Sequence, residues 1–340
     1  MTAPDPPAAS TASPQAPVIG IDLGGTNMQV GVVSTTGQIL GRAKKKTKAE
    51  KGKEAVLQRV ADAAREALDD AGLTTADIAA LGIGAPGAID VRSGVILDAP
   101  NLRWSDVRLA DELAALLDGL AVVVENDVNA AVWGENKLGA GGDAENILGV
   151  WVGTGVGGGL IIHGRIYHGA SGTAGEIGHS LLFPNAPLTF RKLEDVCSRT
   201  AVVRRVVHLV ETNHPSIISQ LAEEKGRSIR EIGSGTVARA FELGDEVVCD
   251  VINESADYLG RGIANAVTLL GLERVVLGGG LTEALGQPFV DVVARSAREH
   301  VFPKAVGDRL EIVATTLNDD AGLLGAALLA QERLAVLAQT

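Results

Sequence analysis

Val18–Val33 reads VIGIDLGGTNMQVGVV, and Asn146–His163 reads NILGVWVGTGVGGGLIIH. Each stretch is an apolar run, a glycine-rich turn and a second apolar run. Runs of Val, Ile and Leu bounded by glycine clusters read as strands joined by turns. A third short strand follows in both: QIL after the polar turn Ser34–Gly37, and IYH after Gly164–Arg165. The pattern strand, glycine turn, strand, turn, strand thus occurs twice, about 130 residues apart. The repeat lies in organisation, not in residue identity. It predicts two similar α/β halves with a nucleotide-sized cleft between them.

Working outward, apolar residues at helical spacing predict helices at Glu54–Ala71, Leu109–Leu117, Ala130–Gly139, Asp195–Val210, Gly235–Leu243, Val247–Leu270 and Pro288–His300. Gly72 closes the first as a C-cap. A last helix runs from Ala321 to about Ala338, with Asn318, Asp319 or Asp320 as its cap. Buried strands are expected at Ala80–Ile83, Leu120–Val124, Arg274–Leu277 and Glu311–Ala314, and GAPGAID (Gly84–Asp90) reads as a loop.

A chain of 340 residues suggests about two domains. With 46% hydrophobic and 21% charged residues it builds a large core, which excludes a disordered chain. Aromatics are only 3%, so that core is aliphatic. The net charge of −12 counts against a nucleic-acid partner. Cys197 and Cys249 form no CxxC pair, which excludes a disulfide scaffold and a Cys-rich zinc site and fits a cytoplasmic protein. Residues 1–17 lack the basic start and apolar run of a secretory signal and read as a disordered tail. The apolar stretch Ala321–Ala330 stops at Gln331, well short of the roughly 20 residues of a membrane helix.

Three glycine clusters end apolar strands: Gly24-Gly25-Thr26, Gly153-Thr154-Gly155 with Gly157–Gly159, and Gly278-Gly279-Gly280. Glycine lets backbone N–H groups approach phosphate oxygens, and Thr adds a hydroxyl donor; ordinary hairpin turns are the alternative. Gly153, Gly155 and Gly158 match GxGxxG, but a hairpin follows where a dinucleotide fold opens a helix. Asp22 ends a strand beside such a turn, where a carboxylate holds Mg²⁺ through water or merely caps the turn. Asn126-Asp127 stands at a strand end before a helix, suited to general-base work on a hydroxyl, or to capping. Gly175-Glu176-Ile177-Gly178-His179 sets a carboxylate and an imidazole three apart, for sugar hydroxyls, a metal or a plain surface turn. Arg42 to Lys53 holds seven basic residues in twelve positions, a solvated loop and helix start or a polyanion contact.

Together these segments resemble the ROK family of bacterial sugar kinases and repressors, within the actin/hexokinase/Hsp70 superfamily. The resemblance covers roughly residues 18–335 and rests on IDLGGTN (Ile21–Asn27), the PG-x-I loop (Pro86–Ile89), PNL (Pro100–Leu102), ENDVNAA (Glu125–Ala131), GTGVGGG (Gly153–Gly159), GEIGH (Gly175–His179) and LGGGL (Leu277–Leu281). It implies an α/β fold of two actin-like (ribonuclease H-like) domains flanking a central cleft: residues 18–128 with 318–340, and residues 129–317. It implies an ATP-dependent hexose kinase of the glucokinase type, in which Asp127 takes the proton of the sugar 6-hydroxyl. Asn101, Asn126, Glu176, His179 and, on a looser alignment, Glu194 would hold the remaining hydroxyls. Gly24, Gly25, Thr26, Gly153 and Thr154 would contact phosphates, with Asn27 and Gly155 beside them. Gly279 and Gly280 would border the adenosine, and Asp22 would lie near Mg²⁺.

The resemblance also implies a homo-oligomer, a dimer or higher, with no nucleic-acid or membrane partner. The family's CxCGxxGC-type zinc motif is replaced here by SLLFPNAPLTFRKLEDVCS, so no structural zinc is expected. The 17 residues before Val18 leave no room for the repressors' helix-turn-helix module. The alternatives are a polyphosphate donor, another hexose or N-acetylhexosamine acceptor, and a non-catalytic sugar sensor.

Overall fold

The computed structural model describes residues 16–142, 144–187 and 190–337; of the expected tail only Ala16 and Pro17 fall within them. The chain sorts into two compact units. In chain order the first holds β1 (Val18–Leu23), β2 (Asn27–Val33), β3 (Ile39–Lys46), α1 (Lys53–Ala71), β4 (Leu81–Ala85), β5 (Ala88–Asp90), β6 (Val95–Ala99), β7 (Trp104–Val107), α2 (Leu109–Leu116), β8 (Val122–Asn126) and α3 (Asp127–Leu138). The second holds β9 (Ile147–Val152), β10 (Val156–Ile162), β11 (Arg165–Ile166), α4 (Leu193–Cys197), α5 (Arg199–Glu211), α6 (Ile218–Glu224), α7 (Ser234–Glu242), α8 (Glu246–Leu270), β12 (Arg274–Gly278), α9 (Gly280–Leu285), α10 (Gln287–His300), α11 (Lys304–Gly307) and β13 (Glu311–Ala314). Residues 168–174 and α12 (Ala321–Leu337) belong to the first unit again. Because α3 packs on α12, the first unit runs on to Gly142, past the boundary expected at Val128.

Each unit carries a five-stranded sheet of the same plan, β3-β2-β1-β4-β8 in one and β11-β10-β9-β12-β13 in the other. In both, two antiparallel pairings are followed by two parallel ones. The doubled sequence pattern is thus a doubled topology.

Alternation along β1 explains the layers of the first unit. Ile19, Ile21 and Leu23 join a buried cluster with Val56, Val60 and Ala64 of α1. Gly20 and Asp22 face the other way, toward α12. A Cβ at Gly20, or at Gly82 of the neighbouring β4, would run into the carbonyls of Leu323 or Ala326. Bare backbone there lets α12 lie directly on the sheet. Gly325 likewise meets the Ala130 carbonyl of α3. Ala321, Leu323, Leu324, Ala326, Ala327 and Ala330 are buried, as expected of a helix apolar all round.

The structure departs from the sequence reading in several places. Part of GAPGAID is strand: β5 pairs with β6, and β6 with β7, in a small antiparallel sheet. Gly157–Gly159 lie inside β10, so the second glycine turn is confined to Gly153–Gly155. The helix expected over Asp195–Val210 is broken at Ser198, whose hydroxyl accepts the Ala201 N–H and starts α5 afresh. Helix α6 forms where the sequence pattern predicts no element, and β11 takes only Ile166 of IYH. The basic run is no solvated loop in its first half, because Arg42, Lys44, Lys45 and Lys46 belong to the edge strand β3. Lysines on an edge strand discourage further pairing. Among the described residues no helix is long and apolar enough to cross a membrane.

Candidate active site

In the first unit the β1–β2 turn is tight. The Gly24 N–H donates to the Asn27 carbonyl at 3.0 Å, while Thr47 gives its hydroxyl to Gly24 O at 2.6 Å and its N–H to Thr26 O at 2.8 Å. Thr26 and Asn27 are exposed, and Gly25 lies against Asn101. Asn101 sits in the β6–β7 turn, which buried Leu102 anchors.

Asp22 is half-buried at the end of β1, beside Gly322 of α12. Burial pushes its carboxyl up to about 7, and the charges of Asp127 and Asp319 add to the rise. Three acids thus gather here, of which Asp319 is paired with Lys44. Among the described residues no three His, Cys, Asp or Glu side chains are set to ligate a metal directly. That donor set suits Mg²⁺ held through water, since Mg²⁺ sheds its hydration reluctantly.

Asn126 and Asp127 divide the helix start between them. Asn126 is the N-cap of α3, its Oδ1 accepting from Val128 N–H at 3.0 Å and Asn129 N–H at 3.1 Å. Its Nδ2 donates to Gly87 O at 3.2 Å, which leaves one amide N–H for a ligand. The capping alternative therefore holds for Asn126. Asp127 begins the helix, its Oδ1 accepting from Val128 N–H at 2.9 Å. Just before them, Glu125 is 6% exposed and pairs with His168, Oε2 to Nε2 at 2.7 Å. Glu125 opens the ENDVNAA motif, but nothing along the chain gives it a role or marks His168 as its partner.

In the second unit three predicted residues come together around Gly155 and Val156. Glu194 Oε2 accepts the Val156 N–H at 2.9 Å and lies against Gly155, where a Cβ would collide with it. Gly178 packs on the Val156 carbonyl, which seats the GEIGH segment against β10. Burial raises the Glu176 carboxyl; His179 counteracts this, and Glu194 raises it further. Lys192 Nζ donates to His179 Nδ1 at 3.0 Å. An ammonium has no acceptor, so this bond puts the ring proton on Nε2.

The β9–β10 turn is held by the start of α5. Arg199 N–H donates to Gly153 O at 2.9 Å, its guanidinium to Thr154 Oγ1 at 2.9 Å, and Thr200 Oγ1 to Thr154 O at 2.8 Å. Gly279, at φ 86°, packs on the backbone of Val152, and Gly280 lies near the Arg199 guanidinium. Next to these is a cavity of about 680 Å³ lined by Arg199, Thr200, Arg204, His208, Arg230 and Ser234, among others. That volume suits a nucleotide-sized ligand. None of these six residues belongs to a motif legible in the sequence. The basic segment is largely spent within the chain: Arg42 pairs with Asp320, Lys44 with Asp319, Lys45 with Glu66 and Lys53 with Glu112.

The chain is similar to known proteins along nearly its whole length. Glucokinase of Thermotoga maritima is 35% identical over 326 residues, 94% of this chain and 99% of its own. The crystal structure of a ROK family glucokinase from Streptomyces griseus, in complex with glucose and AMPPNP, superposes with a TM-score of 0.82 at 31% identity, covering 93% of this chain and 99% of that one. The xylose repressor of Caldicellulosiruptor bescii is 29% identical across 91% of this chain and 76% of its own. The two units are of the actin-like ATPase fold that those glucokinases share. The ROK family pattern matches residues 18–333, and the chain belongs to the ROK family.

Proposed function

We propose that the protein is an ATP-dependent hexose kinase that phosphorylates the sugar 6-hydroxyl, with glucose as preferred acceptor. The observation that carries this is Asp127 at the start of α3, with Asn126 taking the capping duty, in a chain similar to glucokinases along nearly its whole length. The Asp127 carboxylate accepts the hydroxyl proton as the sugar oxygen attacks the γ-phosphorus, and ADP leaves. Phosphoryl transfer asks for positioning and charge neutralisation more than covalent chemistry. Glu176, His179, Glu194, Asn101 and the remaining amide N–H of Asn126 hold the other hydroxyls. The glycine turns receive the phosphates, and the cavity beside Thr154 and Gly280 receives the nucleoside. Asp22 would hold Mg²⁺ through water, and the ion would supply neutralisation of phosphate charge.

ATP is favoured over polyphosphate because four of the seven cations in Arg42–Lys53 are paired within the chain. A zinc-free loop after His179 is supported by contacts at its two ends: Lys192 engages His179, Asp195 accepts from Arg191 and Lys192 N–H, and the buried Cys197 thiol donates to Ser255 O. Metal analysis of the purified protein is expected to give no stoichiometric zinc, and one zinc per chain would refute this. We place the enzyme in the cytoplasm as a dimer or higher oligomer, supported by exposed Leu269, Leu270 and Phe302 in the second unit. The deciding experiment is a coupled ADP-release assay with Mg-ATP against glucose, mannose, fructose and N-acetylhexosamines, with polyphosphate in parallel. Strong turnover on glucose supports the reading. Sugar binding without turnover on either donor would make the chain a sensor.

A further inference from the structure

Glu125 is a buried carboxylate outside the proposed chemistry, yet it stands two residues before Asp127. Its Oε1 accepts the Asn126 N–H at 2.8 Å and the Asn129 side-chain amide at 3.0 Å. Its Oε2 takes His168 Nε2 at 2.7 Å. One carboxylate therefore ties the end of β8, the first turn of α3 and the segment 168–174 together. That segment is itself fixed: Ala174 N–H donates to His168 O at 3.2 Å, and Gly172, at φ 73°, sits where a Cβ would lie 2.8 Å from Ile89 O. The Asn126 amide reaches the same stretch at Gly87.

A carboxylate this deeply buried is tolerated only when its oxygens are satisfied. The hydrogen bond to Glu125 in turn raises the His168 imidazole, against the lowering effect of burial, and the Glu125 charge adds to the rise. Losing His168 leaves Oε2 unpaired, and the carboxylate must then shift or find another donor. Any shift moves Oε1, and with it the turn Asn126–Asn129 on which Asp127 rides.

Resting on the kinase reading, we propose that Glu125 and His168 are positioning residues for phosphoryl transfer, acting through Asp127. Neither touches the reacting atoms in this scheme. Misplacing a catalytic group by about an ångström costs up to about a hundredfold in rate. The effect should therefore fall on kcat, not on sugar affinity.

The test measures kcat and KM for sugar and ATP in the full-length protein. His168→Ala is expected to lower kcat by about ten- to a hundredfold while the sugar KM moves by less than about threefold. His168→Gln, whose amide can donate to Oε2, should restore most of kcat. In an Asp127→Asn background, His168→Ala should cost nothing further, because residues acting through one group are not additive. A kcat unchanged in His168→Ala, a loss confined to KM, failure of Gln to rescue, or full additivity with Asp127→Asn would each overturn the proposal. Should His168→Ala fold poorly, Glu125→Gln and His168→Gln carry the same comparison, with sugar titration giving the folded fraction. A wild-type protein without turnover on any hexose sinks the kinase reading and the proposal with it. An active wild type indifferent to His168 sinks the proposal alone.

Discussion

Asp22 and Asp127 show how surroundings can suit two like groups to the different work proposed for them. Asp127 opens α3, and its replacement by Asn keeps its size while removing the proposed proton acceptor. Asp127→Asn is therefore expected to lose about 10²- to 10⁴-fold in kcat, the usual range for a general base, with sugar binding retained. Steady-state kinetics with a sugar titration checks both halves. Asp22 is raised to about 7 by burial, then by Asp127 and Asp319. A carboxylate raised in the folded state favours folding when protonated. Its ionisation costs stability that grows as pH climbs from about 4 to 7 and then levels off. Asp22→Asn should thus raise the melting temperature of the ligand-free protein at about pH 8, and the gain should shrink toward about pH 5. The same variant should lose Mg-ATP-dependent turnover. Melting curves with no pH dependence in the gain would remove Asp22 from the charge cluster.

Among the elements, α12 depends most on what its neighbours lack. It reaches β1 and β4 because Gly20 and Gly82 present no Cβ to its carbonyls. Gly82→Val would drive side-chain atoms into the Ala326 backbone, and such overpacking costs about 3 kcal/mol or more. Chemical denaturation should report that loss. Gly235, in the first turn of α7 with nothing near its Cβ position, is the control. Gly235→Ala should be neutral or stabilise by up to about 1 kcal/mol through helix propensity alone. Equal losses at both positions would show that close approach of α12 is not what Gly82 permits. Reading the sequence found the long periodic elements, such as α1 with its Gly72 cap and α8 over twenty-five residues, and short strands that stand out as apolar runs, such as β12 and β13. Those it missed are short: β5 has three residues, β7 four and α6 seven, too few for a period to register.

For the molecule as a whole, each unit repeats one sheet plan and carries its own share of the proposed site. Asp22, Asn101, Asn126 and Asp127 belong to the first, and Glu176, His179, Glu194 and the Gly279–Gly280 turn to the second. A sugar that binds only the folded protein stabilises it by mass action, by about 2.7 kcal/mol at a hundred times its dissociation constant. Glucose should therefore raise the melting temperature of wild type and of Asp127→Asn by similar amounts. A shift in wild type that vanishes in Asp127→Asn would make Asp127 a binding group more than a base.

The strand, glycine turn, strand units were legible without any structure, because a turn and the two strands it joins are local chemistry. So were the candidates within IDLGGTN, ENDVNAA and GEIGH, each a cluster along the chain. Partnerships across the chain were not. Arg42 reaches Asp320 across 278 residues, and His168 reaches Glu125 across 43. Neither partner carries a sequence signal that names the other. The basic run reads as a solvated loop and helix start or as a polyanion contact, and only folding brings Asp319, Asp320, Glu66 and Glu112 to it. Likewise, whether Asn126 or Asp127 capped α3 depended on side-chain geometry at its first turn. Local pattern determined which elements form and where the chemistry clusters. Tertiary packing alone decided which charges are spent on each other, because a charge's partner is set by distance in space and not along the chain.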